Sequence, residues 1–169
     1  MISEKVQKAF NDQINAELYS AYMYLAMVAD LESKNLVGMA QWMKVQATEE
    51  VGHAMKLFGH VVERGGRAVL GAIAEPPGEW ATPLELFEAA YAHEQKVTAL
   101  INKLVDVADA ESDRAAHIFL QWFVTEQVEE EANADRIVQQ LHMIGDHPQG
   151  LLMLDAQLGR RTAGAEGDE

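Results

Sequence analysis

Cysteine is absent from this 169-residue chain, which excludes disulfides, thiolate zinc sites, iron-sulfur clusters and thiol nucleophiles and agrees with a reducing compartment. Proline is scarce. All four prolines fall at positions 76, 77, 83 and 148, so residues 1–75 and 84–147 contain no strong helix breaker. Positive charge is in deficit, with 13 basic against 27 acidic residues and a formal net charge of -14. That balance opposes binding to nucleic acid or to an anionic membrane surface and favours cations as partners. Long apolar runs are missing too, and the first residues show no basic segment followed by an apolar one. Neither a membrane span nor a secretory leader is expected, and the reading is a soluble, cytoplasmic protein of one domain.

What the chain does contain is helix-forming sequence. Residues 4–32 and 36–64 are rich in Ala, Leu, Met, Glu, Gln and Lys, with a short break at Ser33, Lys34 and Asn35. Residues 65–81, GGRAVLGAIAEPPGEWA, read as one long irregular connection. Thr82, Pro83 and Glu85 then form a capping box that opens a third helix, running to about Ala110. Ser112 is predicted to cap a fourth helix ending near Ile144, before Gly145 and Pro148, and Gln149 to Leu158 a short fifth. The domain therefore spans 1–158, and residues 159–169 are expected to be a disordered tail. Helices of about 28 residues are about 42 Å long, which fits an all-α, antiparallel four-helix bundle. Short turns join helices one to two and three to four, and a long crossover joins two to three.

Each long helix carries an apolar stripe at 3-4 spacing, and each stripe is interrupted near its middle by polar or ionisable residues. These are Glu17 in the first helix, Glu50 and His53 in the second, Glu94 in the third, and Gln127 and Glu130 in the fourth. Midpoints of antiparallel helices meet, so four buried carboxylates would share one level. Each would cost several kcal/mol to desolvate without compensating charge, and no Lys or Arg occupies any of the four stripes. A pair of divalent cations is the simplest compensation. Natural and designed di-iron bundles use one Glu from each of two helices and a Glu-x-x-His from each of the other two. Here Glu17, Glu50 and His53 are separated by 33 and 3 residues, and Glu94, Gln127 and Glu130 repeat the same spacing with Gln-x-x-Glu in place of Glu-x-x-His. One metal position keeps Glu17, Glu50 and His53; the other has Glu94, Glu130 and the shared Glu50, beside a neutral amide, and is expected to hold its ion more loosely. Any one of these residues taken alone could be a solvated Glu on a stripe shifted by one position, but the whole set would need four such shifts to coincide.

The strings NAELYSAYMYL, ATEEVGHAMKLF, YAHEQKVT and FLQWFVTEQVEEEA, which carry these residues, closely resemble the non-haem ferritins of bacteria and archaea, and the resemblance covers about residues 3–158. It implies an intrasubunit ferroxidase centre that oxidises Fe(II) with O2 or peroxide, in a homo-oligomeric cage of 24 subunits that stores ferric mineral. It makes Glu17, Glu50 and His53 the first iron site, and Glu94 and Glu130 with Glu50 the second, with Gln127 alongside. Glu49, Glu126 and Glu129 resemble the third iron site of bacterial ferritins; read from the residues alone, Glu126 and Glu129 could equally lie on a solvated face. Tyr24 matches a family tyrosine that can hydrogen-bond a ligand or donate an electron. Bacterioferritins differ by a second Glu-x-x-His and a haem-ligating Met where this chain has Val51, so haem is not expected. Rubrerythrins carry a cysteine-ligated iron module that this chain cannot supply. Miniferritins place their iron between subunits with a different ligand pattern.

The function expected is iron storage and detoxification. The rivals are a di-iron oxidase or peroxidase that retains its metals and a scaffold that binds none. Trp42 and Trp122 read as packing residues, His60 as a core or surface histidine, and His93, His117, His142 and His147 as surface or interface residues. Leu151, Leu152 and Leu154 read as exposed apolar residues available to neighbouring subunits.

Overall fold

The structure, a computed structural model, describes residues 1–163. Its helices are α1 (Glu4–Ser33), α2 (Val37–Glu63), α3 (Pro83–Ala110), α4 (Arg114–Ile144) and the short α5 (Pro148–Leu158). The starts follow local chemistry. Ser3 accepts the N–H of Val6 at the head of α1. Thr82 accepts that of Glu85 at 3.1 Å, while Glu85 reaches back to the N–H of Ala81. At α4 the cap is Asp113 rather than Ser112: Ser112 takes φ +55° to close the turn, whereas the cap residue Asp113 has a negative φ of -84°. Asp113 accepts the Ala116 N–H instead, and Arg64, the residue just after α2, grips both its oxygens at 3.0 Å.

The four long helices run antiparallel to the partners they touch. Ile2 bonds to Arg64 and Lys44 pairs with Glu32 at opposite ends of α1 and α2. Lys5 pairs with Glu111 and Tyr24 bonds to Glu94, which orients α1 against α3. His117 pairs with Asp109 and His142 with Glu88, which orients α3 against α4. Helices α2 and α3 are therefore parallel, and the segment joining them must travel the length of the bundle. Side chains of α1 line its path at four-residue spacing. Gln7 accepts the Arg67 N–H, Asn11 exchanges bonds with Arg67 and Val69, and Asn15 donates to the Ala72 carbonyl. Lys34, past the other end of α1, donates to the Trp80 carbonyl. This ladder satisfies backbone groups of a connection that has no helix or strand of its own.

The apolar core is in two pieces. One gathers Tyr24, Met27, Leu31, Met39, Met43, Phe87, Ile137 and Leu141. The other gathers Phe10, Ile14, Leu57, Ile101, Leu120 and Phe123. In every long helix the residues of the two pieces are separated by a buried polar layer: Glu17 and Ser20, Glu50 and His53, Glu94, and Gln127 with Glu130. Leu154 is buried in the first piece with Leu158, and Leu151 packs on it, so Leu152 alone of the three leucines is left exposed. Of the tail predicted to be disordered, residues 164–169 lie outside the described residues. Within 159–163, Arg161 folds back against α2, where it bonds to Gln46 and Glu49.

Candidate metal centre

Glu17, Glu50, His53, Glu94, Gln127 and Glu130 are each at most 6% exposed, so the mid-helix interruptions of the stripes do face inward together. Glu17, Glu50 and His53 offer ligand atoms within 4.8 Å of one another. His53 Nδ1 lies 3.3 Å from Glu50 Oε2, and its ring is held edge-on by Trp122 and Phe123. Gln13, one turn before Glu17, donates to Glu17 Oε1 at 2.9 Å, while Glu17 Oε2 is buried with no hydrogen-bond donor among the described residues. A buried carboxylate oxygen with no donor is a poor neighbour for protein and a good one for a cation.

The second grouping differs from the one read in the sequence. His53, Glu126 and Glu130 offer ligand atoms within 4.8 Å of one another, and Glu94 is outside that set. The reason is visible at Glu94: Oε1 accepts the hydroxyl of Tyr24 and Oε2 accepts the Gln127 amide at 3.2 Å. The same Gln127 nitrogen lies 3.3 Å from the Glu94 carbonyl and from the Thr98 hydroxyl, so it acts as a donor that fixes Glu94. Glu94 nonetheless stays close enough to raise the pKa of both Glu50 and Glu130 by charge repulsion. Of the three residues likened to a third site, Glu126 joins His53 and Glu130, Glu49 pairs with Arg161 at 2.7 Å, and Glu129 is exposed.

Electrostatics confirm that the layer is short of positive charge. Burial pushes the carboxyls of Glu17 and Glu50 well above the ordinary range, and neighbouring carboxylates push them further. Glu130 is raised to about 8, first by burial and then by Glu94. Burial and the nearby carboxylates also hold the Tyr24 phenol in its protonated form, as a donor. Divalent ions would replace the protons that these groups otherwise keep.

Supporting residues that the sequence did not reveal surround the layer. His93, read as a surface or interface residue, is half-buried: it bonds to Ser20 at 2.8 Å and meets the Tyr24 ring edge-on, with its pKa lowered to about 4 by burial. Gln46 donates to Glu130 at 2.5 Å and accepts from Arg161. Gln46 does sit on the apolar stripe of α2, so periodicity could have flagged it; nothing local points to Arg161. Trp42 packs on Phe87, and His60 stacks on Phe119, both as packing residues.

The family model for the ferritin-like domain matches residues 7–144. A bacterial non-heme ferritin of Bacteroides fragilis is 47% identical over 161 residues, covering 95% of this chain and 100% of its own length. One from Staphylococcus aureus is 35% identical, covering 96% and 98%. Among solved structures, an open pore ferritin from the archaeon Archaeoglobus fulgidus superposes with a TM-score of 0.95 at 52% identity, over 96% of this chain and 100% of that one. The chain belongs to the ferritin family, among the non-haem ferritins of bacteria and archaea; it stores iron and is a ferroxidase, oxidising Fe(II).

Proposed function

We propose that the buried layer is a di-iron ferroxidase centre within each subunit. Glu17, Glu50 and His53 hold one Fe(II); Glu94 and Glu130 hold the other, with Glu50 between them. The observation that carries this reading is the meeting of carboxylates from all four helices at one buried level, with no Lys or Arg in their stripes. Fe(II) entering the layer displaces protons from Glu50 and Glu130, whose carboxyls are raised, and the ions then screen the carboxylates from one another.

Two adjacent Fe(II) ions deliver one electron each. O2 takes up these two electrons and two protons and leaves as hydrogen peroxide, and with peroxide as the oxidant the same count yields two waters. Carboxylate oxygens favour the harder Fe(III) and so promote the oxidation. Tyr24 and Gln127 hold Glu94 in place, and Gln46 does the same for Glu130. Because Gln127 and Glu130 stand where a carboxylate and an imidazole would complete a second Glu-x-x-His, the second position has a neutral amide and no imidazole, binds more weakly and releases oxidised iron. Glu49, Glu126 and Glu129 receive it on the way to the mineral.

The reading extends to a cytoplasmic cage of 24 subunits around a stored mineral. Exposed Ile118, Val128 and Met143 on α4 and Leu152 and Met153 on α5 supply apolar surface for contacts between copies. No helix among the described residues is long and apolar enough to cross a membrane. The test is the mass of the native particle together with its iron content after aerobic loading. A large shell holding far more iron than two ions per subunit is expected. A monomer or dimer with stoichiometric iron would instead indicate an oxidase that keeps its metals.

A further inference from the structure

Arg161 lies beyond α5 and 112 residues from Glu49, yet its guanidinium is inside the molecule, with 8% of the side chain exposed. Nη2 donates to Glu49 Oε2 at 2.7 Å, and Nη1 donates to Gln46 Oε1 at 2.6 Å. The Trp42 ring lies against it, 4.6 Å from Cζ to the ring centroid. An ion pair, an amide acceptor and an aromatic face together specify one geometry for a long side chain, and the planar fork of arginine suits all three. The segment is delivered there by α5, which sits on the start of α2 so closely that a Cβ on Gly38 would fall 1.8 Å from the Asp155 carbonyl oxygen.

The partners of Arg161 belong to the metal layer or adjoin it. Gln46 has one amide oxygen and one amide nitrogen. With its oxygen taken by Arg161, its nitrogen is turned to Glu130, 2.5 Å away. Glu49 precedes Glu50 in α2, and its charge is one of those that act on Glu50. A cation leaving the Glu130 side of the layer toward Glu49 therefore meets a guanidinium already bound there.

We propose that Arg161 is a tethered cation that occupies Glu49, so that a metal ion gains this carboxylate only when the guanidinium has swung away. The proposal rests on the two-ion reading given above, and its ligand class is a divalent or trivalent metal cation. Arg161 acts as a gate on the number of ions held beside the centre; it is not itself a catalytic residue.

The experiment is a calorimetric titration of metal-free, full-length protein with Zn(II), comparing wild type, Arg161→Gln and the Arg161→Gln, Glu49→Gln double variant, with circular dichroism as the check on folding. Arg161→Gln is expected to bind one more Zn(II) per subunit than wild type, or to bind its last ion about tenfold more tightly, as one like charge leaves the carboxylate. The double variant should lose that gain. Arg161→Met, which keeps the stem over Trp42 without the charge, should behave as Arg161→Gln does and serves if the latter folds poorly. Equal stoichiometry and affinity in folded wild type and charge-free variants overturns the proposal, and so does a gain that survives removal of Glu49. Glu50→Ala in the same titration reports on the two-ion centre separately: its tight steps should vanish, whether or not the step governed by Arg161 exists.

Discussion

Asp155 on α5 accepts the backbone N–H of Met39, in the first turn of α2, through Oδ1 at 2.8 Å. The N-cap residue of α2, Leu36, has no side-chain oxygen to do this, so the last helix caps the second. A carboxylate at a helix N-terminus also meets the positive end of the helix dipole. Asp155→Ala should lower stability by about 1–2 kcal/mol, measured by chemical denaturation. Gly38→Ala should be worse, because the added methyl meets the Asp155 carbonyl, and it should release α5 and with it Arg161. Faster proteolysis after residue 145 in Gly38→Ala would reveal that release; wild-type resistance would show that α5 is held by other means.

On the two-ion reading, Glu50 is the residue that serves both ions. Glu50→Ala should reduce the initial rate of Fe(II) oxidation by more than about a hundredfold, beyond what loss of a supporting residue costs. Removal of one repelling carboxylate should at the same time leave the melting temperature of the metal-free protein unchanged or raised. Stopped-flow absorbance and thermal denaturation of the same preparation check both halves.

On the two-ion reading, Tyr24 supports the second position through Glu94, to which its hydroxyl donates. Tyr24→Phe keeps the ring that packs in the core but removes the hydroxyl donated to Glu94. Zn(II) affinity at the weaker position should fall by roughly ten- to a hundredfold, with the tighter position nearly unaffected. A uniform loss at both positions would assign Tyr24 a general packing role.

The raised carboxyl of Glu130 fixes the sign of a pH effect. Its folded pKa of about 8 lies above the ordinary 4.5, so protonation favours the folded state. The stability it contributes is complete below about pH 4.5 and is lost as pH rises through about 8. The melting temperature of metal-free protein should therefore decline across this window, and Glu130→Gln should flatten the decline. Added Zn(II) should stabilise more at pH 8 than at pH 5, since fewer protons must be displaced.

Helix positions and the buried polar layer were legible because both are periodic. Thr82, Pro83 and Glu85 announce α3, and the spacing of 33 and 3 residues, which occurs twice, places the polar layer. What escaped depends on contacts between distant residues. Asp113 displaced Ser112 as a cap because the turn needed a positive φ at Ser112 and because Arg64 was available to hold Asp113. His93 faces Ser20 and Tyr24 on α1, which no pattern along α3 discloses. Arg161 stands in a segment of small and charged residues that reads as tail, and only the docking of α5 on Gly38 carries it to Gln46 and Glu49. The grouping of Glu126 with His53 and Glu130, and the hold of Tyr24 and Gln127 on Glu94, likewise come from contacts between helices.

The most direct test is anomalous scattering at the iron edge from crystals of the protein soaked anaerobically with Fe(II). Two ions per subunit are predicted, both in contact with Glu50: one also bound by Glu17 and His53, the other by Glu130 and Glu94, with the second less occupied at low iron. A layer that holds a single ion, or none while iron collects only on surface carboxylates, would contradict the two-ion centre.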